Sequence, residues 1–307
     1  RLGLSSDEPV QAWHLVDPFG QEPPSPADDP LRDVEPTIDI EGVARRYFAD
    51  LGHDVDGVLR RSDLHPREGK DQHAFQITTD RRDDVRILCN VAPTLHWLDT
   101  MLHELGHAVY DLSLDRDLPW LLRTPAHIFA TEAIAMLHGG RHRDPVFLER
   151  YAGVAPDVAH HPTNALVRRR GLHVFVPWVQ VMTRFERALY ADPDADLGAI
   201  WWELVERHQR IPRPPGDRTH DWATKLHLAL APVYYHNYLL GEITAAQLEW
   251  ALERETGSSS PAANPEAAGQ LLEERFLRPG RSVRWDALVE RATGAPLTPD
   301  HLVSTLS

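Results

Sequence analysis

The strongest chemical signal in the sequence is the motif His103-Glu104-Leu105-Gly106-His107, set in an apolar-periodic stretch. On an α-helix, positions i and i+4 lie one turn apart on the same face, so both imidazoles can bind one metal ion. Glu104 would then lie beside the metal, where a carboxylate can take a proton from an attacking water. The alternative is a chance match in a chain that contains 18 histidines.

A third metal ligand is predicted at Glu132, within the apolar segment 128–137. A carboxylate in such a segment faces inward and is costly without a cation or a partner. An ion pair with Arg123 or Arg141 is the alternative. Two histidines of one helix and a glutamate of the next form the three-ligand set of a zinc hydrolase, which leaves a fourth position open. We therefore predict one Zn²⁺ ion per chain, bound by Glu132 and the two histidines of the motif.

The elements that must position these side chains are mostly helices. Apolar residues at helical spacing predict a helix over 94–112, which carries the motif, and another over 126–138, which carries Glu132. Segments 73–79 and 84–90 are predicted as the strands of a β-hairpin with a charged turn. The chain is therefore predicted to be mainly α. The other predicted helices are 38–51, 145–153, 163–191, 194–209, 222–240, 243–255, 262–276, 283–292 and 298–306.

The composition argues against several other classes of function. A formal charge of −14 is unfavourable for binding nucleic acid or an anionic membrane surface, since both need clustered Lys and Arg. No apolar run reaches the roughly 20 residues of a membrane-spanning helix. Cys89 is the single cysteine, which excludes an intrachain disulfide framework. The 307 residues are predicted to form one catalytic domain, with a Pro-rich connection at 20–37.

The run HELGHAVYD followed by TEAIAML resembles the gluzincin metallopeptidases. It is similar to the branch that holds angiotensin-converting enzyme and the thimet oligopeptidase/oligoendopeptidase F group. The stretch DVRILCNVAPTLHWLDTMLHELGHA is similar to the converting-enzyme family, and REGKDQHAF is similar to the oligopeptidase group. Trp201-Trp202-Glu203-Leu204 and Lys225-Leu226-His227 follow in family order. The resemblance implies a multi-helical zincin-like peptidase body in which a small β-hairpin borders a deep active-site cleft.

The resemblance also implies which residues stabilise the reacting carbonyl. A His and a Tyr of the family hydrogen-bond the tetrahedral intermediate, and they match His227 and Tyr238. A second family tyrosine, which contacts the substrate, matches Tyr235, and Tyr234 competes for that position. One continuous helix would place His227 and Tyr238 on the same face, but Pro232 interrupts it and leaves the register open. Without the zinc motif, a core aromatic face with satisfied hydroxyls is the alternative.

Further matches concern substrate binding. His73 and Ala74 match an edge-strand pair that binds the substrate backbone in the converting-enzyme family. Lys225 matches a lysine that captures the C-terminal carboxylate of the peptide, and Gln11 matches a glutamine with the same role. These matches imply a dipeptidyl carboxypeptidase acting on short peptides. The alternatives are an endo-acting oligopeptidase of the oligoendopeptidase F type and a non-catalytic zinc-binding helical scaffold derived from a peptidase.

The sequence departs from the converting-enzyme pattern at several positions. Met136 stands where that family has an acidic residue that supports the metal site. Asp111, one turn after His107, is the alternative group for orienting an imidazole. Val205 and Asn237 stand where the family carries chloride-binding arginines, so chloride activation is not expected.

Cysteine content and length lead to two last expectations. The family's disulfides are impossible with one cysteine, which favours a bacterial-type enzyme in a reducing cytoplasm. Against the family, 307 residues correspond to the C-terminal part of the catalytic body, and the chain starts with Arg1 rather than Met. The expected partners are short peptide substrates and an N-terminal segment of the same enzyme, with no nucleic acid and no membrane.

Overall fold

The computed structural model describes residues 8–17 and 19–306 and confirms a mainly α chain with a small two-stranded sheet. Among the helices of these residues we find none with both the length and the apolar character that a bilayer crossing needs. Short 3-10 turns join several helices. The helices and strands are α1 (Ile40–Asp50), α2 (Asp56–Arg61), β1 (Phe75–Thr78), β2 (Val85–Leu88), α3 (Leu95–Ser113), α4 (Ile128–Gly139), α5 (Pro145–Arg150), α6 (Pro156–Ala159), α7 (Pro162–Ala191), α8 (Leu197–Gln209), α9 (His227–Leu230), α10 (His236–Thr256), α11 (Pro265–Leu272), α12 (Trp285–Thr293) and α13 (Asp300–Leu306).

The chain divides into two compact units. The hairpin unit consists of residues 30–164 and 240–305 and contains both strands, α3 and α4. The tryptophan unit consists of residues 8–17, 19–29 and 165–239 and contains α8 and α9. The organisation of 1–307 as one catalytic domain stays a prediction.

Helix α3 is the centre of the hairpin unit, with α1, α4 and both strands packed around it. Its first turn is capped by Thr94, whose hydroxyl accepts a hydrogen bond from the Trp97 N–H at 3.3 Å. Because neighbours cover it on several sides, α3 buries most of its apolar residues and also Glu104. The residues of α3 that are completely buried are Leu98, Met101, Leu102, Leu105, Ala108, Val109 and Tyr110.

The predicted hairpin is confirmed, and both of its strands are shorter than predicted. Before β1, the His73 N–H donates to the Asp71 carboxylate at 2.9 Å. After β2, the Cys89 N–H donates to the Asp63 carbonyl at 3.0 Å. These backbone groups bond outside the β1–β2 ladder, so the paired region ends before it reaches them.

Aromatic rings form the centre of the tryptophan unit. The ring centroids of Trp178 and Trp201 lie 5.8 Å apart, and those of Phe185 and Trp201 lie 5.0 Å apart, both in edge-to-face contact. This arrangement is the favourable one for aromatic quadrupoles, and all three rings are buried.

The segment 222–240, predicted as a helix that Pro232 interrupts, is divided further than predicted. This segment forms a 3-10 turn at Asp221–Thr224, the single turn of α9, and then a break before α10 begins. Pro232 has no N–H to donate, and Val233 adopts a left-handed backbone with φ of 57°. The buried carboxylate of Glu186 accepts the Val233 N–H, which stabilises the break.

Candidate functional site

Helix α3 brings the two histidines of the motif together, as their spacing predicts. The Nε2 atoms of His103 and His107 lie 3.2 Å apart, and both rings are largely shielded from solvent. Burial lowers the pKa of both imidazoles, by a large amount for His107, and so favours their neutral forms. Neutral imidazoles offer the lone pairs that a metal ion requires.

Helix α4 delivers the predicted third ligand. The Oε2 atom of Glu132 lies 3.6 Å from His103 Nε2 and 3.8 Å from His107 Nε2, and only 2% of the side chain is exposed. Arg141, a candidate ion-pair partner for Glu132, instead pairs with Asp144 at 2.7 Å and with Glu249 at 2.6 Å. The structure therefore places Glu132 with the histidines.

These three side chains fit a zinc ion. Each offers one ligand atom, and the three atoms lie within 4.8 Å of one another. Ligand atoms of a tetrahedral zinc site with bonds of about 2.0–2.1 Å are about 3.3 Å apart. The observed separations of 3.2, 3.6 and 3.8 Å are close to that value. Two imidazoles and one carboxylate are also the donor types that zinc accepts in catalytic sites.

The glycine of the motif allows α3 and α4 to approach each other. A Cβ atom at Gly106 would lie 2.8 Å from Ala135 Cα, so the two helix backbones are in contact there. A Cβ atom at Gly241 of α10 would also lie 2.8 Å from Glu132 Cβ, so α10 approaches α4 closely as well. Glycines on both neighbouring helices therefore hold α4 at the distance from which Glu132 reaches the histidines.

Thr131 orients one of the ligands, a role that the sequence analysis missed. Its Oγ1 lies 2.7 Å from His107 Nδ1 and can accept the Nδ1–H, which leaves Nε2 free for a metal. Asp111, the group suggested for this role, instead accepts hydrogen bonds from Gln76 and Thr78 of β1. Spacing along α3 could not reveal Thr131, because it lies on the neighbouring helix.

Glu104 is buried next to the ligand set, with 6% of its surface exposed. Burial raises the pKa of its carboxyl to about 8, and the charge of Glu132 adds to this effect. A cation held by the three ligands would favour the ionised form of Glu104, because opposite charges lower a carboxyl pKa. Glu104 is therefore a buried carboxyl group beside the candidate metal ligands.

In the tryptophan unit, the structure pairs His227 with Tyr238. Their Nε2 and Oη atoms lie 3.2 Å apart, although they are joined through the break rather than by one helix. The hydroxyl of Tyr235 accepts from Trp178 Nε1 at 2.8 Å and donates to Gln21 at 2.9 Å. Tyr238 is therefore the tyrosine whose hydroxyl reaches His227.

Lys225 lies in a buried, polar and aromatic environment of the same unit. Its Nζ donates to Gln21 Oε1 at 2.6 Å and lies 5.1 Å from the Phe19 ring centroid. Burial lowers the pKa of the ammonium group to about 8, against the opposing charge of Asp17.

The glutamine beside Lys225 is Gln21, which the sequence analysis did not single out. Asp17 Oδ1 accepts from Gln21 Nε2 at 3.0 Å, so the amide oxygen of Gln21 faces Lys225. The Gln11 N–H instead donates to His14 Nδ1 at 3.1 Å, a local contact, and the substrate role of Gln11 stays a prediction. Gln21 lies in the Pro-rich segment, where no periodicity marks a side chain as inward-facing.

His73 and Ala74 directly precede β1. The ring of His73 is exposed, and its Nδ1 lies 2.8 Å from the Ala74 carbonyl oxygen. Strand β1 packs against α3, the helix that carries the two histidines of the motif. The structure thus brings the start of β1 to the same region as the motif.

Comparison with known proteins agrees with this geometry. The sequence pattern described as peptidase family M3 matches residues 52–307. The chain belongs to peptidase family M3. Members of this family are zinc metallopeptidases, which confirms the predicted superfamily.

Individual relatives are distant. The chain is 25% identical to "Angiotensin-converting enzyme" of Theromyzon tessulatum, over 73% of this chain and 38% of the relative. It is 25% identical to the protein of that name in Rattus norvegicus, over 95% of this chain and 24% of the relative. It is 24% identical to "Mitochondrial intermediate peptidase" of Coccidioides immitis, over 71% of this chain and 30% of the relative. The chain thus spans well under half the length of these curated relatives.

Gly106→Ala should disturb both the hairpin unit and its metal site. The added methyl group meets the α4 backbone, which cannot rotate away, and such overpacking typically costs about 1–3 kcal/mol. We expect a lower midpoint in urea unfolding and weaker zinc retention against a chelator.

Gly171→Ala is the matched control. It also lies within a helix, and a Cβ atom there meets nothing within 4 Å, so the substitution should be neutral or slightly stabilising. Equal stability and equal zinc retention in Gly106→Ala and the wild type would contradict the close-contact interpretation.

Proposed function

We propose that this chain is the zinc-binding part of a peptidase that hydrolyses short peptides, with His103, His107 and Glu132 holding one zinc ion. The observation that carries the proposal is the convergence of these three ligand atoms, with Glu104 buried beside them. Membership of peptidase family M3 supports the same reaction class.

The residues of the hairpin unit account for the first half of the chemistry. Zinc, when bound, supplies a Lewis acid that polarises the scissile carbonyl and lowers the pKa of water. The Glu104 carboxylate takes the proton from the attacking water and later passes it to the leaving amine. Glu104 is largely shielded from solvent, which strengthens its electrostatic interaction with charged groups beside it.

We propose that His227 and Tyr238 stabilise the oxyanion that forms on the scissile carbonyl. Their mutual hydrogen bond supports this role, since it holds the Tyr238 hydroxyl in place before the substrate arrives. Preorganised donors contribute to catalysis because they need no rearrangement when charge develops.

For the substrate, we propose a short peptide with a free C-terminus. Lys225, Tyr235 and Gln21 form a connected polar group that supports capture of a carboxylate. His73 and Ala74, at the start of β1, would bind the substrate backbone. We propose that the enzyme releases dipeptides from C-terminal ends and that it acts in the cytoplasm.

An endo-acting oligopeptidase is the second candidate. It is favoured by the family match itself and by the similarity to "Mitochondrial intermediate peptidase". A non-catalytic zinc-binding scaffold is disfavoured, because a scaffold would not need the buried Glu104 beside the ligands.

Glu104→Gln should abolish peptide turnover while zinc stays bound. The amide keeps the shape of the side chain but cannot accept the proton, and general-base removal of this kind typically costs about 10²–10⁴ in kcat. Turnover of a fluorogenic peptide and zinc content by elemental analysis are measured on the same preparation. Glu203→Gln, at an exposed position, is the control and should behave as wild type. Substantial activity in zinc-loaded Glu104→Gln would rule out its role as the base.

Tyr238→Phe should lower kcat by about 10²–10³ with little change in KM, because one oxyanion donor is lost. Tyr235→Phe is the matched variant, since it removes a hydroxyl that contacts Gln21 instead of His227. We expect Tyr235→Phe to raise KM and to leave kcat nearly unchanged. Steady-state kinetics of both variants test the assignment, and identical profiles would contradict it.

Recognition of a free carboxylate should depend on pH through Lys225. A lysine is charged below its pKa, so the positive charge is present below about pH 8 and is lost above it. The KM of a peptide with a free C-terminus is expected to rise above about pH 8, while the KM of the amidated peptide changes little. Lys225→Met should make the two peptides equivalent. If amidation has no effect on the wild type at any pH, the endo-acting alternative is favoured.

A further inference from the structure

A carboxylate on the metal-binding helix ties that helix to β1. Asp111 lies one turn after His107 on α3. Its Oδ2 accepts hydrogen bonds from Gln76 Nε2 at 3.0 Å and from the Thr78 hydroxyl. Gln76 Nε2 also donates to Thr78 Oγ1 at 2.8 Å, so the three side chains form one closed network.

The two strand residues of this network lie on one face of β1. Gln76 and Thr78 are two residues apart, and both side chains face α3. The alternate residues of the strand, Phe75 and Ile77, are 41% and 49% exposed. An apolar anchor to the core is therefore absent from the described β1 residues. On the face of β1 that is turned toward α3, the strand is held by the polar contacts of Gln76 and Thr78 with Asp111.

Besides the packing of β2 on α3, an ion pair links the hairpin turn to the segment after α3, and it is weaker than the Asp111 network. Arg116, just after α3, pairs with Asp83 in the hairpin turn at 2.9 Å, but 83% of the Asp83 side chain is exposed. Exposed ion pairs contribute little, because water and salt screen them. Asp111 is shielded instead, and burial raises the pKa of its carboxyl against the hydrogen bonds of Thr78 and Gln76. The Asp111 network is thus the stronger of these two polar ties.

One edge of β1 pairs with β2, and within the described part of the chain the sheet has these two strands. The other edge of such a strand presents backbone groups to which an extended peptide can add. A rotation or slip of β1 would displace these groups relative to α3, because successive residues point to opposite faces.

We propose that Asp111 is a positioning residue that fixes the orientation of β1 on α3, and with it the register in which a peptide backbone reaches the metal ligands. This inference rests on the proposed function, because it takes β1 as the strand that binds the substrate. Asp111 itself does not touch the substrate. It acts through Gln76 and Thr78.

The first test measures the strand directly, without substrate. In the zinc-loaded full chain, Asp111→Asn and Thr78→Val should speed amide hydrogen exchange at 75–78 by about 5- to 10-fold, the loss expected for one intramolecular hydrogen bond. Exchange in α4 should stay unchanged. Thr78→Ser keeps the hydroxyl and should restore slow exchange. Asp115→Asn is the control, since Asp115 lies one turn further along and pairs with Arg278.

The second test measures substrate positioning by binding instead of turnover. Glu104→Gln chains with and without Asp111→Asn are titrated with a fluorescent peptide and with its depsipeptide, in which one ester replaces a backbone N–H. A scan of the ester along the peptide finds the position that bonds to β1. Asp111→Asn should weaken binding of the peptide about 5- to 10-fold and that of the matching depsipeptide less than about twofold. Zinc content should be equal in all samples.

The outcomes separate the two proposals. Faster exchange in β1 together with the peptide-specific loss supports the role of Asp111. Unchanged exchange, or an equal loss for peptide and depsipeptide at every ester position, overturns it. Absence of turnover in the wild type, with binding and its Asp111 dependence retained, contradicts the proposed hydrolysis and leaves the positioning role supported.

Discussion

The contact between the backbones of α3 and α4 at Gly106 and Ala135 is the constraint on which the site depends. One helix is enough to bring two histidines one turn apart together. The third ligand, Glu132, comes from a different helix, so the distance between the two helices decides whether its carboxylate reaches the imidazoles. Close approach at Gly106 lets Glu132 lie 3.6 and 3.8 Å from the two imidazoles. A larger residue in the motif would separate the helices and leave a buried carboxylate without the groups that share its site. The glycine is thus a packing requirement of the chemistry as well as of the fold.

The electrostatics of the hairpin unit point in the same direction. Glu104 and Glu132 are both buried close to each other, and burial together with their repulsion raises the pKa of Glu104 to about 8. Burying two acidic groups beside two neutral imidazoles is unfavourable for the apo chain. A divalent cation removes this cost, because it pairs with the carboxylates and accepts the imidazole lone pairs. An unfavourable electrostatic arrangement of this kind, which the rest of a well-packed core offsets, is common at functional sites.

The sequence predicted the parts of the site that depend on periodicity within one element. The i, i+4 spacing gave His103 and His107, and an acidic residue inside an apolar helix gave Glu132. Residues that act across elements were harder to find, since spacing along α3 suggested Asp111 as the partner of His107, whereas the structure places Thr131 of α4 there.

The errors in the predicted fold have a similar cause. The helix predicted over 222–240 fails because Val233 adopts a left-handed backbone that Glu186 stabilises from α7, a contact distant in sequence. Gln21 was missed because it lies in an irregular Pro-rich segment without a pattern to mark its direction. Tyr238 nevertheless reaches His227 across the break, a contact that the sequence left open because Pro232 made the register uncertain.

The central claim is that His103, His107 and Glu132 together hold one zinc ion, and zinc K-edge X-ray absorption tests it most directly. The spectrum reports the number and type of atoms bound to zinc in the purified chain. We predict four-coordinate zinc with two imidazole nitrogens and carboxylate oxygen at about 2.0–2.2 Å, and loss of the carboxylate contribution in Glu132→Ala. A purified chain that retains no zinc, or a zinc site whose spectrum is the same in Glu132→Ala, would contradict the account.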